Sequence, residues 1–414
     1  MIATKPVSAH LFEEAFQKLT SERYFKQPDL QTRLDAFAHF KKMGLPSIRQ
    51  DEWKFTDLSR YTFNAFTTPL KSQVSFKQFQ PLLPCPNSSQ QFVYYNGHLL
   101  KSDSSSLFSM EPLDSQDNPV IPCYKNGLSA LNRAFFQDGT CIVVPKNCIV
   151  YEPIYIIHII DSENPILVHP RNLIRLEENS QATLVEMTLT LGNTLSFANS
   201  VSNIQLAKNA HLQHLLLQNP NQNCQISQVT IQQKEYSEYT GTVLNKGGVL
   251  NRAEVQVELQ ESYTKTKLYA LSLAKEQQKI DTHLILEHQQ PHCESETLSR
   301  SIVRDKARSS FTGKIIVKEG AFKTCASLQN KNCLLSPQAE ANTRPQLEIY
   351  NDDVQCTHGA TVSHLERDAL FYLKSRGIPE QEAEELLING FIYPALQGIP
   401  ASCIDFVQRI IHEP

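Results

Sequence analysis

The spacing of hydrophobic residues changes twice along the chain. Near the N-terminus it is helical. In SAHLFEEAFQKL, Leu11, Phe12, Ala15, Phe16 and Leu19 keep helical spacing, and Ser8 is placed to cap the helix. In QTRLDAFAHFKKMG, Leu34, Phe37 and Phe40 share one helical face. Gly44 then ends that helix and Pro46 forbids its resumption. RQDEWKFTDLS follows and holds the only tryptophan, Trp53. Residues 67 to 120 are richer in Pro, Ser, Asn and Asp and read as irregular, apart from one strand near QFVYYNG.

From about residue 139 the texture is that of strands. Short apolar and β-branched runs (CIVVP, PIYIIHII, NLIRL, ATLVEM, SNIQL, HLQHLLL, AEVQVEL) alternate with polar residues and are punctuated by Asn, Gly or Ser. IRLEENSQATLVE from Ile174 is echoed by IQLAKNAHLQHL from Ile204, about thirty residues on. Each is a strand, a turn centred on Asn (Asn179, Asn209) and a second strand entered through Ala. Many short strands with an offset echo predict stacked β coils. Texture alone also allows a β-sandwich, although only 14 glycines in 414 residues argue against a hairpin-rich design. The strand region extends to about Tyr350.

Helical spacing then returns. HLERDALFYLKSRG aligns Leu365, Ala369, Leu370 and Leu373 and stops at Gly377, and Pro379 suits the first turn of the next helix. EQEAEELLINGF turns Ala383, Leu386 and Leu387 inward, with Glu380, Glu382, Glu384 and Glu385 opposite. ASCIDFVQRIIHEP places Ile404, Val407, Ile410 and Ile411 on one side. The predicted fold is mainly β. A parallel β-helix core (136–355) lies between a helical and irregular N-terminal region (1–135) and a C-terminal helical domain (356–414).

Composition narrows the function. The length of 414 residues implies two or three domains or an elongated repeat. A net charge of −4 provides no basic footprint for nucleic acid. The N-terminus has no apolar signal-peptide core, and no run approaches 18 apolar residues, so neither a secretory signal nor a membrane span is expected. Ten scattered cysteines without a C-x-x-C pair suit reduced thiols and a cytoplasmic setting.

No complete catalytic set emerges. The chain lacks G-x-x-x-x-G-K-[ST], a G-x-G-x-x-G after a strand, H-E-x-x-H and G-x-S-x-G. In VQCTHGATVSHLERD, Cys356 and His358 sit two apart. On an extended segment they face the same way, about 7 Å apart at Cα. They offer half of a metal site, since zinc takes four ligands. From spacing alone they can be plain structure, ligands completed by another chain, or a catalytic pair. Cys141/Cys148 and Cys325/Cys333 in the strand region read as core packing. His283, His288, His292 and Cys293 in HLILEHQQPHCESE read as a solvated turn or a metal cluster. The four glutamates of the C-terminal helix read as its wet face or as a contact for a basic partner.

Several blocks together resemble the SufB/SufD family of iron–sulfur cluster assembly proteins. They include DEWKFTDLS (51–59), HPRNLIRLEENSQATLVE (169–186), GGVLNRAEVQVEL (247–259), EGAFKTCASLQNKNCLLSP (319–337) and RPQLEIYNDDVQCTHGATVSHLERDALFYLKSRGI (344–378). The chain is similar to the SufD branch. It has His-Gly-Ala-Thr at 358–361, where a SufB chain would carry Glu-His-Glu-Ala-Thr. The resemblance implies a non-enzymatic scaffold in a SUF complex, paired with a SufB-like paralogue and carrying a SufC-type ABC ATPase on the C-terminal helices. A cysteine-desulfurase system would supply it indirectly, and two copies of the chain could pair in isolation. A nascent iron–sulfur cluster would be held transiently, shared with the paralogue, and nothing would be bound permanently. His358, with Cys356 beside it, stands at the position implicated in cluster assembly. Two enzymatic alternatives are a carbohydrate-active β-helix enzyme and a cysteine-dependent hydrolase using Cys356 and His358.

Overall fold

The computed structural model describes residues 10–21, 29–61, 66–84, 88, 90–103, 105–113, 124–192 and 194–412. Ser8 lies outside them. The centre is a β-solenoid of about eight turns. Its strands form two ten-stranded sheets, and neighbouring coils pair in parallel. This excludes the sandwich.

The internal echo is one coil of that solenoid. Ile174 pairs with Ile204, and the register continues through Ile231, Val257, Leu286 and Ile315 to Leu347. All but Leu347 are buried in one central cluster. Fully burying each such side chain stabilises the fold by about 1.5–3 kcal/mol. The corners explain the scarcity of glycine. Asn147, Asn179 and Asn209 hold φ of 59°, 59° and 56°, the left-handed turn that asparagine tolerates best after glycine. Their side chains form a ladder, with Asn209 Nδ2 donating to Asn179 Oδ1 at 2.9 Å and Asn179 Nδ2 to Asn147 Oδ1 at 2.8 Å. Farther along the same corner Tyr236, Tyr263 and His292 take the left-handed turn. Their rings stack at 5.0 Å, and this contact offsets part of the backbone cost.

Three N-terminal helices pack on the flank of the second sheet: α1 (His10–Ser21), α2 (Asp29–Met43) and α3 (Gly127–Phe135). Phe16 stacks on Phe37 at 4.3 Å and Phe12 meets Phe40 edge-on at 5.2 Å. Leu34 is exposed, unlike Phe37 and Phe40 with which its spacing groups it. Helix α3 is absent from the sequence reading, and so are two of the three strands at Gln91–Tyr95, His98–Ser102 and Ser109–Pro112. The DEWKF segment is clamped to the solenoid by a buried charge cluster. Arg252 lies 4.1 Å from the Trp53 ring and donates to the Glu52 carbonyl at 2.9 Å, while Asp281 accepts from both Arg252 and Thr56.

The last strand runs Val354–His364, and α4 (Arg367–Ser375), α5 (Glu380–Ile392) and α6 (Ile404–His412) follow it. Ile392, Ala395, Val407 and Ile410 cover the outer face of the first sheet over Leu215, Leu244 and Leu271. Gly398 is required at this contact, because a Cβ there would collide with Tyr269 and Thr242. Two inward assignments are corrected: Leu386 and Ile404 are exposed, and α4 buries no residue.

The fold also buries histidines, some within the coils and some beneath the N-terminal segments that flank them. Desolvation holds His158, His283 and His288 down to about 4 and His169 to about 3. The folded protein keeps them neutral, whereas the unfolded chain takes up protons below about pH 6.5. Stability must therefore fall as pH drops from 6.5 toward 4, with each histidine costing up to ~1.4 kcal/mol per pH unit. Urea unfolding should have a clearly lower midpoint at pH 5.5 than at pH 7.5, and an equal or higher midpoint would contradict this burial.

Candidate functional site at the open end of the solenoid

Each interior coil is covered by the next, and the last coil is not. Strand Val354–His364 ends the first sheet and Glu340–Ile349 ends the second. Among the described residues the terminal strand pairs only with Thr324–Leu334, so its other edge keeps unpaired backbone groups. Its register decides where the candidate ligands sit. Cys356 lies beside Ala326 and His358 beside Leu328, and both of those neighbours are buried in the central cluster. Cys356 and His358 therefore continue inward-facing columns. With no further coil to cover them, Cys356 is half-buried against the core and His358 is exposed. His364, six residues on, has its Nδ1 3.1 Å from the Leu334 carbonyl, which ties it to the strand.

The thiol is not activated. Burial pushes Cys356 above its usual range, and nearby Cys325 pushes it further, against a smaller opposing effect from the Ala326 backbone. A nucleophilic cysteine needs the reverse, a neighbouring cation or base that lowers its pKa. As a metal ligand this thiol must lose its proton to the incoming ion. Among the described residues, no group of three or more His, Cys, Asp or Glu side chains is placed to hold a metal. The end thus presents an imidazole and a thiol on one face of a strand with a free edge.

Known proteins place this geometry in context. Residues 158–391 match the family model for the SufBD core domain of the SUF system of FeS cluster assembly. The chain belongs to the SufB/SufD family. It is 30% identical over 388 residues to a SufBD family iron–sulfur cluster assembly protein of Synechocystis, covering 88% of this chain and 86% of the relative. It is 29% identical over 402 residues to the iron–sulfur cluster assembly protein SufD of Escherichia coli, covering 94% and 93%. A SufBD family protein of Staphylococcus saprophyticus is 27% identical over 412 residues. The matched SufBD core runs from the early coils of the solenoid through α5, so it includes the open end.

The remaining candidates do not converge on the open end. His283 is buried 3.3 Å from the Arg252 guanidinium. His288 shares a hydrogen bond with Ser295 at 2.8 Å, and Cys293 is buried at 3.1 Å from Thr264 Oγ1. His292 stands in the corner stack. The four point to separate places and form no metal cluster, and the burial of His283, His288 and Cys293 also corrects the solvated-turn reading, which holds only for His292. Cys141 and Cys333 are buried as core packing requires, and Cys148 is half-buried with its thiol 3.2 Å from the Leu107 carbonyl. Cys325 is exposed, which corrects its assignment to the core. The alternation of buried Thr324, Ala326 and Leu328 in TCASL already turns it outward. On the C-terminal helices, Phe371, Tyr372, Leu386 and Tyr393 are exposed, an apolar surface that the polar-face reading missed.

Cys325 and Cys356 are both free thiols and supply a direct test. At pH 7.5, iodoacetamide should label Cys325 at the rate of an ordinary exposed thiol and Cys356 several-fold more slowly, as peptide mass spectrometry would resolve. Faster labelling of Cys356 would restore the nucleophile reading.

Proposed function

We propose that the chain is a non-catalytic scaffold subunit of a SUF-type complex. It pairs through its open solenoid end with a SufB-type paralogue and contributes His358 and Cys356 to an iron–sulfur cluster assembled as cargo at that interface. The observation that carries this reading is the conjunction on one strand. The last coil of the SufBD core, which no further strand covers among the described residues, also bears an exposed imidazole and a half-buried thiol. A homologous chain supplies the missing coil, covers the edge and brings further ligands. Imidazole and thiolate both suit iron. Because Cys356 starts protonated, cluster retention rises with pH. In the absence of the paralogue, a second copy of the chain can cover the same edge.

Helices α4 to α6 provide the second contact, for an ABC-type ATPase of the SufC kind. Phe371 is 75% exposed and Tyr372 57%, on a helix that buries nothing of its own. Aromatic residues in that condition suit a partner surface. ATP hydrolysis by the docked partner would move these helices against the solenoid and so alter the interface. A cysteine desulfurase supplies sulfur to the assembled complex indirectly, in the cytoplasm.

Affinity purification from the native cells, with and without His358→Ala, tests the first part. Both versions should recover a larger paralogue and an ATPase in stoichiometric amounts, with iron and sulfide reduced at least several-fold in the variant. Recovery of the chain alone would overturn the scaffold. For the second part, Phe371→Ser with Tyr372→Ser should weaken ATPase binding at least tenfold and leave the melting temperature unchanged. Unaltered affinity would remove the docking assignment.

A further inference from the structure

Where α5 and α6 cross the first sheet, they leave a cleft of about 650 Å³ against the solenoid corner. Its apolar lining comes from both sides, Leu273 and Ile302 on the strands and Ile392 and Ile411 on the helices. Its cations come from the corner. The Arg304 amide donates to the Ala274 carbonyl at 2.9 Å, so Lys275 and Arg304 follow directly on paired positions of adjacent coils. That places their backbones one strand spacing apart, about 4.8 Å. Neither side chain forms an ion pair among the described residues. Asp305, the nearest acid in sequence to Arg304, accepts instead from the Glu276 amide at 2.9 Å and does not line the cleft. Lys246, one coil earlier, donates to the Ile410 carbonyl near the end of α6. The acids facing the cleft are Glu276, itself on the corner, and Glu385 on α5, and His412 closes it from α6.

We infer that this cleft is a binding site for a small amphipathic organic anion, with an apolar body between sheet and helices and a phosphate, sulfonate or carboxylate head on Lys275 and Arg304. The volume falls in the range of small-molecule sites, and an apolar lining with a few convergent polar groups is their usual character. Two like charges stacked on successive coils repel each other, and an anion between them reverses the sign of that interaction. The site is separate from the open end and does not rest on the scaffold reading. An occupant would bridge the solenoid and the helical domain and hold them together by mass action.

The full chain can be titrated with 8-anilinonaphthalene-1-sulfonate, an apolar ring body with one anionic head. The wild type should give one saturable site, displaced by millimolar inorganic phosphate. Lys275→Glu with Arg304→Glu should weaken it at least tenfold, and Asn389→Trp, which fills the cleft from α5, should abolish it. Lys323→Glu, a control at a distant corner, should leave it unchanged. Absence of a saturable site, equal binding by the double variant, or an equal loss in the control would each overturn the inference. The melting temperature of every variant establishes that the comparison is made on folded protein.

Discussion

A parallel coil is held by the coils on either side of it. Its backbone groups pair with both neighbours, and its inward side chains are covered by both. The constraint is satisfied along the solenoid by columns such as Ile174, Ile204, Ile231 and Val257, and it must fail at the ends. At the N-terminal end the sheets are finished by the antiparallel strands His98–Ser102 and Ser109–Pro112. At the C-terminal end the chain leaves strand Val354–His364 and turns sideways into α4, without covering the coil it has just completed. The same constraint that stabilises the interior therefore leaves the last coil with an open edge.

The flanking regions reinforce this asymmetry. Helices α1 to α3 and the Trp53–Arg252 clamp secure the flank of the second sheet, while α5 and α6 cover the outer face of the first. Neither group caps the last coil. Residues that would be core positions one coil earlier become accessible by position. His358 continues the column of Leu328, Thr297 and Leu268, and Cys356 that of Ala326 and Ser295. The chemistry of the end is that of interior columns left uncovered, and this is the property on which the proposed pairing with a homologous chain rests.

Much of this was legible in the residues. The echo at Ile174 and Ile204 reports one coil, because successive coils place like residues in register. The asparagines at 179 and 209 report the corner, because asparagine tolerates its left-handed turn better than other non-glycine residues; the same turn at Tyr236, Tyr263 and His292 carries no such signal. The spacing of Cys356 and His358 reports a shared face. Other features were not legible from spacing. Helix α3 is short, and its Asn126–Ser129 capping box is the one local signal of its start. Leu386 and Ile404 sit at apolar positions of amphipathic helices, but the sheet covers only one stripe of each, and periodicity does not say which stripe. The paired basic residues at Lys275 and Arg304 are 29 positions apart, so only the coil register brings them together.

The central claim is that the edge of strand 354–364 is free in the single chain and occupied in the assembly. Amide hydrogen exchange of this segment tests it, first in the isolated chain diluted to monomer and then in the purified complex. In the monomer, the outward-pointing amides of the terminal strand should exchange orders of magnitude faster than those of Thr324–Leu334. In the complex, the two strands should become comparably protected. A terminal strand that is equally protected in the monomer, or that gains no protection on assembly, would contradict the account.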